Sequence, residues 1–432
     1  MDISNPYCPV PQVTEACAFV GREKLFDLIN QYFLDSTSPH AFLVTGKPLI
    51  GKTQALRQLN QRFSERYIGV YISLRNVTLS SDAQILKLFT RSIMESFAES
   101  HLQIIDSRDD NTEDDSGKIT PAWFAEVFIP RVLYSIRAHR QLIFLVDDAE
   151  PLITYWQAHR SVAGITALLQ DHDQLHMVLT TSDVLEPEVP ELDDLVSTQY
   201  MHRLENLSDA DVIRFANLSP AYVLDEPSAH LIARLTGGMP VVLQWLCYLL
   251  HEQTYSAEHL PHTFTVNDIR VLVPDVLQQT SSIFYEEWQQ LTLNERLVLT
   301  ALSMLFYRDP LQPVTVHKIE DWLIATDYPL DETAIKSSIR GLEYRLLVRS
   351  EGGGLVAVGS ILQTWLVTHA QLDDTATAST PGASSRRIQL LVGVGVVLLV
   401  VAALIGVWLT GSGGPGSLPV ATPAPTVTLA NP

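Results

Sequence analysis

Eight consecutive residues, Gly46-Lys47-Pro48-Leu49-Ile50-Gly51-Lys52-Thr53, satisfy G-x-x-x-x-G-K-[ST] at every specified position. Glycines at these places let the backbone curl, so that successive N–H groups point inward and form an anion nest at a helix N-terminus. Such a nest suits the phosphate chain of a nucleoside triphosphate. Gly46 and Gly51 would shape the loop, Lys52 would reach the β- and γ-phosphates, and the Thr53 hydroxyl would ligate Mg2+. A chain of this length and composition meets the pattern by chance roughly 0.2% of the time.

A second constellation ends the run LIFLVDDAE, where Asp147 and Asp148 follow five apolar residues. A buried strand that delivers acids at its carboxyl edge is the Walker B arrangement. Asp147 would hold Mg2+ through water, and Asp148 would orient and deprotonate an attacking water. Glu150 is the alternative base. Thr180, Thr181 and Ser182 close the next apolar run, HMVLTTS. A hydroxyl there, Thr181 foremost, could sense the γ-phosphate; equally it could cap a strand.

These groups need strands to carry them and helices to cover the strands. AFLVT (41–45), YIGVYISL (67–74), LIFLV (142–146) and HMVLTT (176–181) read as short, continuously apolar strands. Helical periodicity lies between them at 53–63, 83–99, 121–139 (with Pro130 as a kink point) and near 156–171. Apolar strands alternating with helices imply a parallel sheet covered on both faces. The segment Asp106 to Ser116, DSRDDNTEDDS, has acid without apolar residues and reads as a solvated loop within 104–120. After about residue 205 the strand signal disappears and helices dominate to about 305. No repeat of fixed period occurs.

The chain has 432 residues, with 29 Lys and Arg against 49 Asp and Glu, a net charge of −20. That balance argues against general attraction to nucleic acid or anionic lipid. Three cysteines, Cys8, Cys17 and Cys247, form an odd set without ligand spacing, which suits a reducing compartment. The N-terminus lacks the pattern of a secretory signal. Residues 388–409, IQLLVGVGVVLLVVAALIGVWL, are apolar except for Gln389. As a helix they would reach about 33 Å, enough to cross a hydrocarbon core of about 30 Å. Arg386 and Arg387 precede this run and no Lys or Arg follows it, so the bulk of the chain would lie in the cytosol and the tail outside. Ala402 and Gly406 form a small-xxx-small pair that could support helix association. Residues 373–387 read as a linker and 410–432 as a Pro/Thr/Gly-rich tail.

Together these motifs resemble AAA+ ATPases, especially the STAND branch and its origin-recognition-like bacterial relatives. The resemblance runs from NPY (5–7) and FVGREKLFDL (19–28) through the P-loop, LVDDAE and LTTSD, into LTGGMPVVLQWL (235–246). It implies that the backbone around Val20, Gly21 and Arg22 lines an adenine pocket and that Pro240, in a GxP-like turn, packs near the adenine or ribose. It also implies ATP and Mg2+ between an α/β core and a helical lid. Two arginines of the family's pattern are missing: Asp183 stands after the fourth strand, and the helix PVVLQWLCYLL has none. Slow or partner-dependent hydrolysis follows from that departure.

Residues 292–368 resemble a winged helix, with three helices and a hairpin through Gly352-Gly353-Gly354. Lys336 and Arg340 share a face of its third helix and could meet DNA. Yet residues 292–351 hold seven basic against nine acidic side chains, whereas DNA-binding modules are usually basic. The expected architecture is therefore a P-loop α/β domain (1–205), a helical lid (206–290), a winged helix (291–372), the linker, a transmembrane helix (388–409) and the tail. The expected activity is a membrane-tethered, ATP-hydrolysing switch that signals through homo-oligomers or a protein effector. A membrane-anchored DNA-binding regulator is the alternative.

Overall fold

The computed structural model describes residues 4–9, 17–34, 41–104, 119–136, 140–159, 162–182, 196, 200–255, 260–309 and 314–369. The acidic stretch 106–116, Asp183, the linker, the apolar run 388–409 and the tail lie outside them. Among the described residues no helix is long and apolar enough to cross a membrane.

The core alternates helices and parallel strands. After α1 (Glu23–Leu34) come β1 (Phe42–Thr45), α2 (Lys52–Arg62), β2 (Tyr67–Ser73) and α3 (Asp82–Glu99). α4 (Pro121–Trp123), a π-wound turn (Phe124–Phe128) and α5 (Ile129–Ser135) then lead to β3 (Gln141–Asp147). α6 (Glu150–His159), α7 (Val162–Asp171), β4 (Leu175–Thr181) and β5 (Met201–Arg203) complete the core. The sheet order is β2-β3-β4-β1-β5, all pairs parallel. Thus β4 lies between the strand that feeds the P-loop and the strand that carries the aspartates.

Both faces of the sheet are covered, as the uninterrupted apolar strands required. On β3, Leu142, Phe144 and Val146 join one core cluster with α3, α5 and α6. Ile143 and Leu145 alternate into a second, with α1 and α2. A strand period of two thus splits one apolar run between two cores.

Three expectations need correction. β5 was not foreseen: three residues are too few to show a periodicity, and the strand exists because it pairs with β1. Strands also recur in the lid, where β6 (Tyr222–Leu224) and β7 (His262–Phe264) form a small parallel pair. The 121–139 helix changes its winding before Pro130 rather than at it. Proline has no N–H to return to Glu126, and Ile129 N–H instead bonds Phe124 O, which widens that turn to π.

The lid comprises α8 (Asp209–Ala216), α9 (Glu226–Thr236), α10 (Pro240–Thr254) and α11 (Val266–Gln289). The C-terminal module follows: α12 (Leu293–Arg308), α13 (Val316–Ala325), α14 (Glu332–Tyr344), the hairpin β8 (Val348–Glu351) and β9 (Gly354–Ala357), and α15 (Ser360–His369). One apolar cluster runs through both. Trp365 of α15 packs on Phe284 and Trp288 of α11, and its indole N–H donates to Ser281 Oγ at 2.9 Å. Lid and C-terminal module therefore share a core.

The cysteines also differ from expectation. Cys8 and Cys17 are disulfide-bonded and Cys247 is buried in the lid. The pair is brought together because Ala18 N–H bonds Pro6 O at 2.7 Å while the Tyr7 ring plugs the lid core. The cysteine count therefore carries no argument for a reducing compartment.

Candidate functional site

The P-loop joins β1 to α2. Gly51 caps α2 at φ 104° in the left-handed region, and a Cβ there would meet nothing within 4 Å. Leu49 also takes a positive φ, 62°. The first turn of α2 leaves N–H groups unpaired within the helix, where an anion could accept from them. Into that space reaches Lys52, only 8% exposed. Its Nζ donates to Gly46 O at 2.6 Å and Lys47 O at 3.1 Å. An entering phosphate would exchange these carbonyls for a stronger, charge-assisted partner. Thr53 follows at the second position of α2.

Asp147 ends β3, 2% exposed. Thr180 Oγ1 donates to its Oδ1 at 2.7 Å and Tyr71 Oη to its Oδ2 at 2.8 Å. Hydroxyls from both neighbouring strands therefore fix the carboxylate in place. Burial and the adjacent carboxylate hold the Tyr71 phenol well above its ordinary pKa, so it stays a donor. Asp148 takes φ 52°, unusual for a residue other than glycine. Its N–H bonds Thr180 Oγ1 at 3.1 Å, which locks the turn. Burial, then Asp147 and Glu150, raise its carboxyl above the ordinary carboxylate range, while Lys52 and Arg75 oppose them. Lys52 and the aspartates thus share one edge of the sheet. Glu150 is engaged elsewhere, accepting from Ser182 N–H.

Thr181, the expected sensor, is fully buried, and its hydroxyl has no partner among the described residues. Thr180 does different work, as the link between Asp147 and the Asp148 backbone. Neither that role nor Tyr71 was foreseen. Tyr71 aligns with Leu145, two residues before Asp147 on β3, a cross-strand relation invisible without the register.

The residues expected around adenine do converge. Phe19, Val20, Arg22, Gln54, Pro240 and Gln244 line a narrow cavity of about 50 Å3 beside Gly51. Gly21 sits in the same turn at φ 79°. The Arg22 guanidinium donates to Ile50 O at 2.9 Å and Glu205 O at 2.7 Å, tying the turn to the P-loop. At the lid's turn, Gly237 and Gly238 have φ 57° and 72°. Gly237 ends α9 and Pro240 opens α10, the placement each residue favours. A Cβ on Gly238 would lie 2.0 Å from Leu207 O, and one on Gly237 2.5 Å from Gly359 N. The turn is therefore wedged between the segment that enters the lid and the C-terminal module. The P-loop itself touches that module, since Lys47 Nζ donates to Arg345 O at 3.5 Å. Arg203 of β5 stacks on the Tyr344 ring at 4.1 Å and donates to its carbonyl.

The residues present fit a nucleoside triphosphate with Mg2+. A lysine ammonium is held by the carbonyls of a loop that opens a helix, and an immobilised carboxylate ends a strand of the same sheet. Thr181 and Gln54 supply buried polar atoms without partners among the described residues. Fold and site together define a P-loop nucleotide-binding core. Residues 18–180 match the AAA ATPase domain family.

Among solved structures, the Walker-type ATPase PABY2304 of Pyrococcus abyssi is similar in fold, with TM-score 0.54 and 16% identity over 81% of this chain and 96% of that one. Cdc6p from Pyrobaculum aerophilum aligns at TM-score 0.38 and 14% identity, covering 84% of this chain and 98% of that chain. The Aeropyrum pernix Orc1 protein, solved in complex with DNA, aligns at 0.38 and 16%, covering 84% and 95%. No curated protein matches the sequence.

Proposed function

We propose that this chain is an ATP-binding and ATP-hydrolysing switch of the STAND/AAA+ kind, tethered to a membrane by residues 388–409. The carrying observation is that the P-loop lysine, its Nζ held by Gly46 O and Lys47 O, and the immobilised Asp147 lie at the ends of parallel strands separated only by β4. The backbone of Gly46 to Thr53 and Lys52 would hold the phosphates, and Thr53 and Asp147 would hold Mg2+. Mg2+ there would neutralise charge on the transferred phosphoryl group. Asp148 takes the proton of the attacking water; its raised pKa makes it a better base than an ordinary carboxylate. Thr181 would sense the γ-phosphate from β4. Val20, Gly21 and Pro240 would enclose the base.

Two contacts support a switch. The lid's glycine turn abuts Gly359, and the P-loop's Lys47 abuts Arg345. Nucleotide that moves lid or loop therefore shifts the C-terminal module, which we read as a winged helix. Tethering would raise the effective concentration of copies for assembly or for a protein effector. The alternative of a DNA-reading module gains no support here, because Lys336 is paired with Glu332 at 2.7 Å. Glu320, Glu343 and Glu351 line the same groove.

Turnover and binding separate the parts of this reading. In detergent-solubilised full chain, Asp148→Asn should bind MgATP as the wild type does and hydrolyse it about 100-fold or more slowly. Wild-type turnover should fall as pH drops through the raised pKa of Asp148, because only the deprotonated carboxylate accepts the proton. Unchanged turnover in Asp148→Asn would remove the assigned base.

A further inference from the structure

Gln54 is the third residue of α2, next to Lys52 and Thr53, and it lines the cleft with Val20, Pro240 and Gln244. Its side chain is 8% exposed, and neither Nε2 nor Oε1 has a partner among the described residues. Burying both halves of an amide without partners is costly, and native proteins seldom do it without a reason. The surrounding wall is mostly apolar, with Leu207, Phe215 and Leu243 beside Val20 and Pro240. A flat aromatic ring suits such a wall, and the amide sits at its edge.

We infer that Gln54 reads the edge of the nucleotide's adenine, its Oε1 accepting from the exocyclic amine and its Nε2 donating to the neighbouring ring nitrogen. A side-chain amide sets one donor beside one acceptor, which is the complement of adenine's amine and ring nitrogen. Placement agrees with this. The helix that supplies Lys52 and Thr53 to the phosphates supplies Gln54 one residue on, so base and phosphates are gripped by one rigid element. The cavity of about 50 Å3 is smaller than a purine, so its walls would have to open to admit the base. The inference rests on the ATP-binding reading above.

The rival explanation is an ordered water bridging the amide; the cavity is large enough for one. Competition binding on the full chain decides between them, with three probes: ATP, purine riboside 5′-triphosphate, which lacks the exocyclic amine, and inorganic tripolyphosphate. The wild type should prefer ATP to the riboside about tenfold, the value of a good buried hydrogen bond. Gln54→Leu should bind the two alike and tripolyphosphate unchanged, and it should melt no lower than the wild type, since it removes two unsatisfied polar atoms. A wild type without that preference overturns the inference, whatever the variant does. So does a Gln54→Leu protein that keeps the preference, as a water-filled site would. Failure of the wild type to bind either ATP or tripolyphosphate would instead overturn the reading of the whole site, and this inference with it.

Discussion

Replacing Gly238 by alanine tests whether the lid turn is as tightly wedged as its geometry says. Gly238 has φ 72°, which costs an alanine about 1–2 kcal/mol. The new Cβ would stand 2.0 Å from Leu207 O, a contact no rotamer change relieves because the neighbour is backbone. Separating the strands of chain also breaks the bond from Leu207 N–H to Gly238 O, 2.8 Å long, worth about 1 kcal/mol net. Overpacking of this kind adds about 1–3 kcal/mol. The sum is about 3–6 kcal/mol. Gly353→Ala is the control: its φ is 81°, but nothing lies within 4 Å of the added Cβ, so about 1–2 kcal/mol is expected. Urea unfolding followed by tryptophan fluorescence should separate the two, Trp288 and Trp365 being buried in the core that the turn abuts. ATP affinity should fall in Gly238→Ala as well, because Pro240 two residues later lines the cleft. Equal stability of the two variants would refute the wedge.

His176 sits on β4 against Phe33 and Tyr32, its Nε2 3.2 Å from Gln141 Oε1. Burial lowers its pKa from 6.5 to about 4, with Asp173 opposing. The unfolded chain therefore takes up a proton before the folded one does. Stability contributed by neutral His176 is present above pH 6.5 and lost toward pH 4, by about 3 kcal/mol at most; His176→Phe should flatten that part of a stability–pH profile. Tyr71→Phe removes one of two hydroxyls that fix Asp147. It should raise the Mg2+ concentration for half-maximal turnover about tenfold while leaving the melting temperature nearly unchanged; an unaltered Mg2+ dependence would dissociate Tyr71 from the metal site.

Much of the core was legible because its signals are local. The P-loop and the acid-ended strand are contiguous, and a covered parallel sheet follows from uninterrupted apolar runs such as LIFLV. The glycine turn before Pro240 was legible for the same reason. What escaped depends on contacts distant in sequence. Tyr71 reaches Asp147 across the β2–β3 register, and Thr180 reaches it from β4. β5 exists through pairing with β1, and the Cys8–Cys17 bond through the insertion of Tyr7 into the lid. The Arg22 side chain is a further case: it braces the P-loop through Ile50 O, a contact 28 residues away in sequence.

The central claim is that residues 46–53 receive a triphosphate through Lys52. Equilibrium binding of MgATP to the full chain, wild type against Lys52→Ala, tests it most directly. Saturable binding by the wild type that disappears in a folded Lys52→Ala protein is the expected result. Undiminished affinity in that variant would contradict the account.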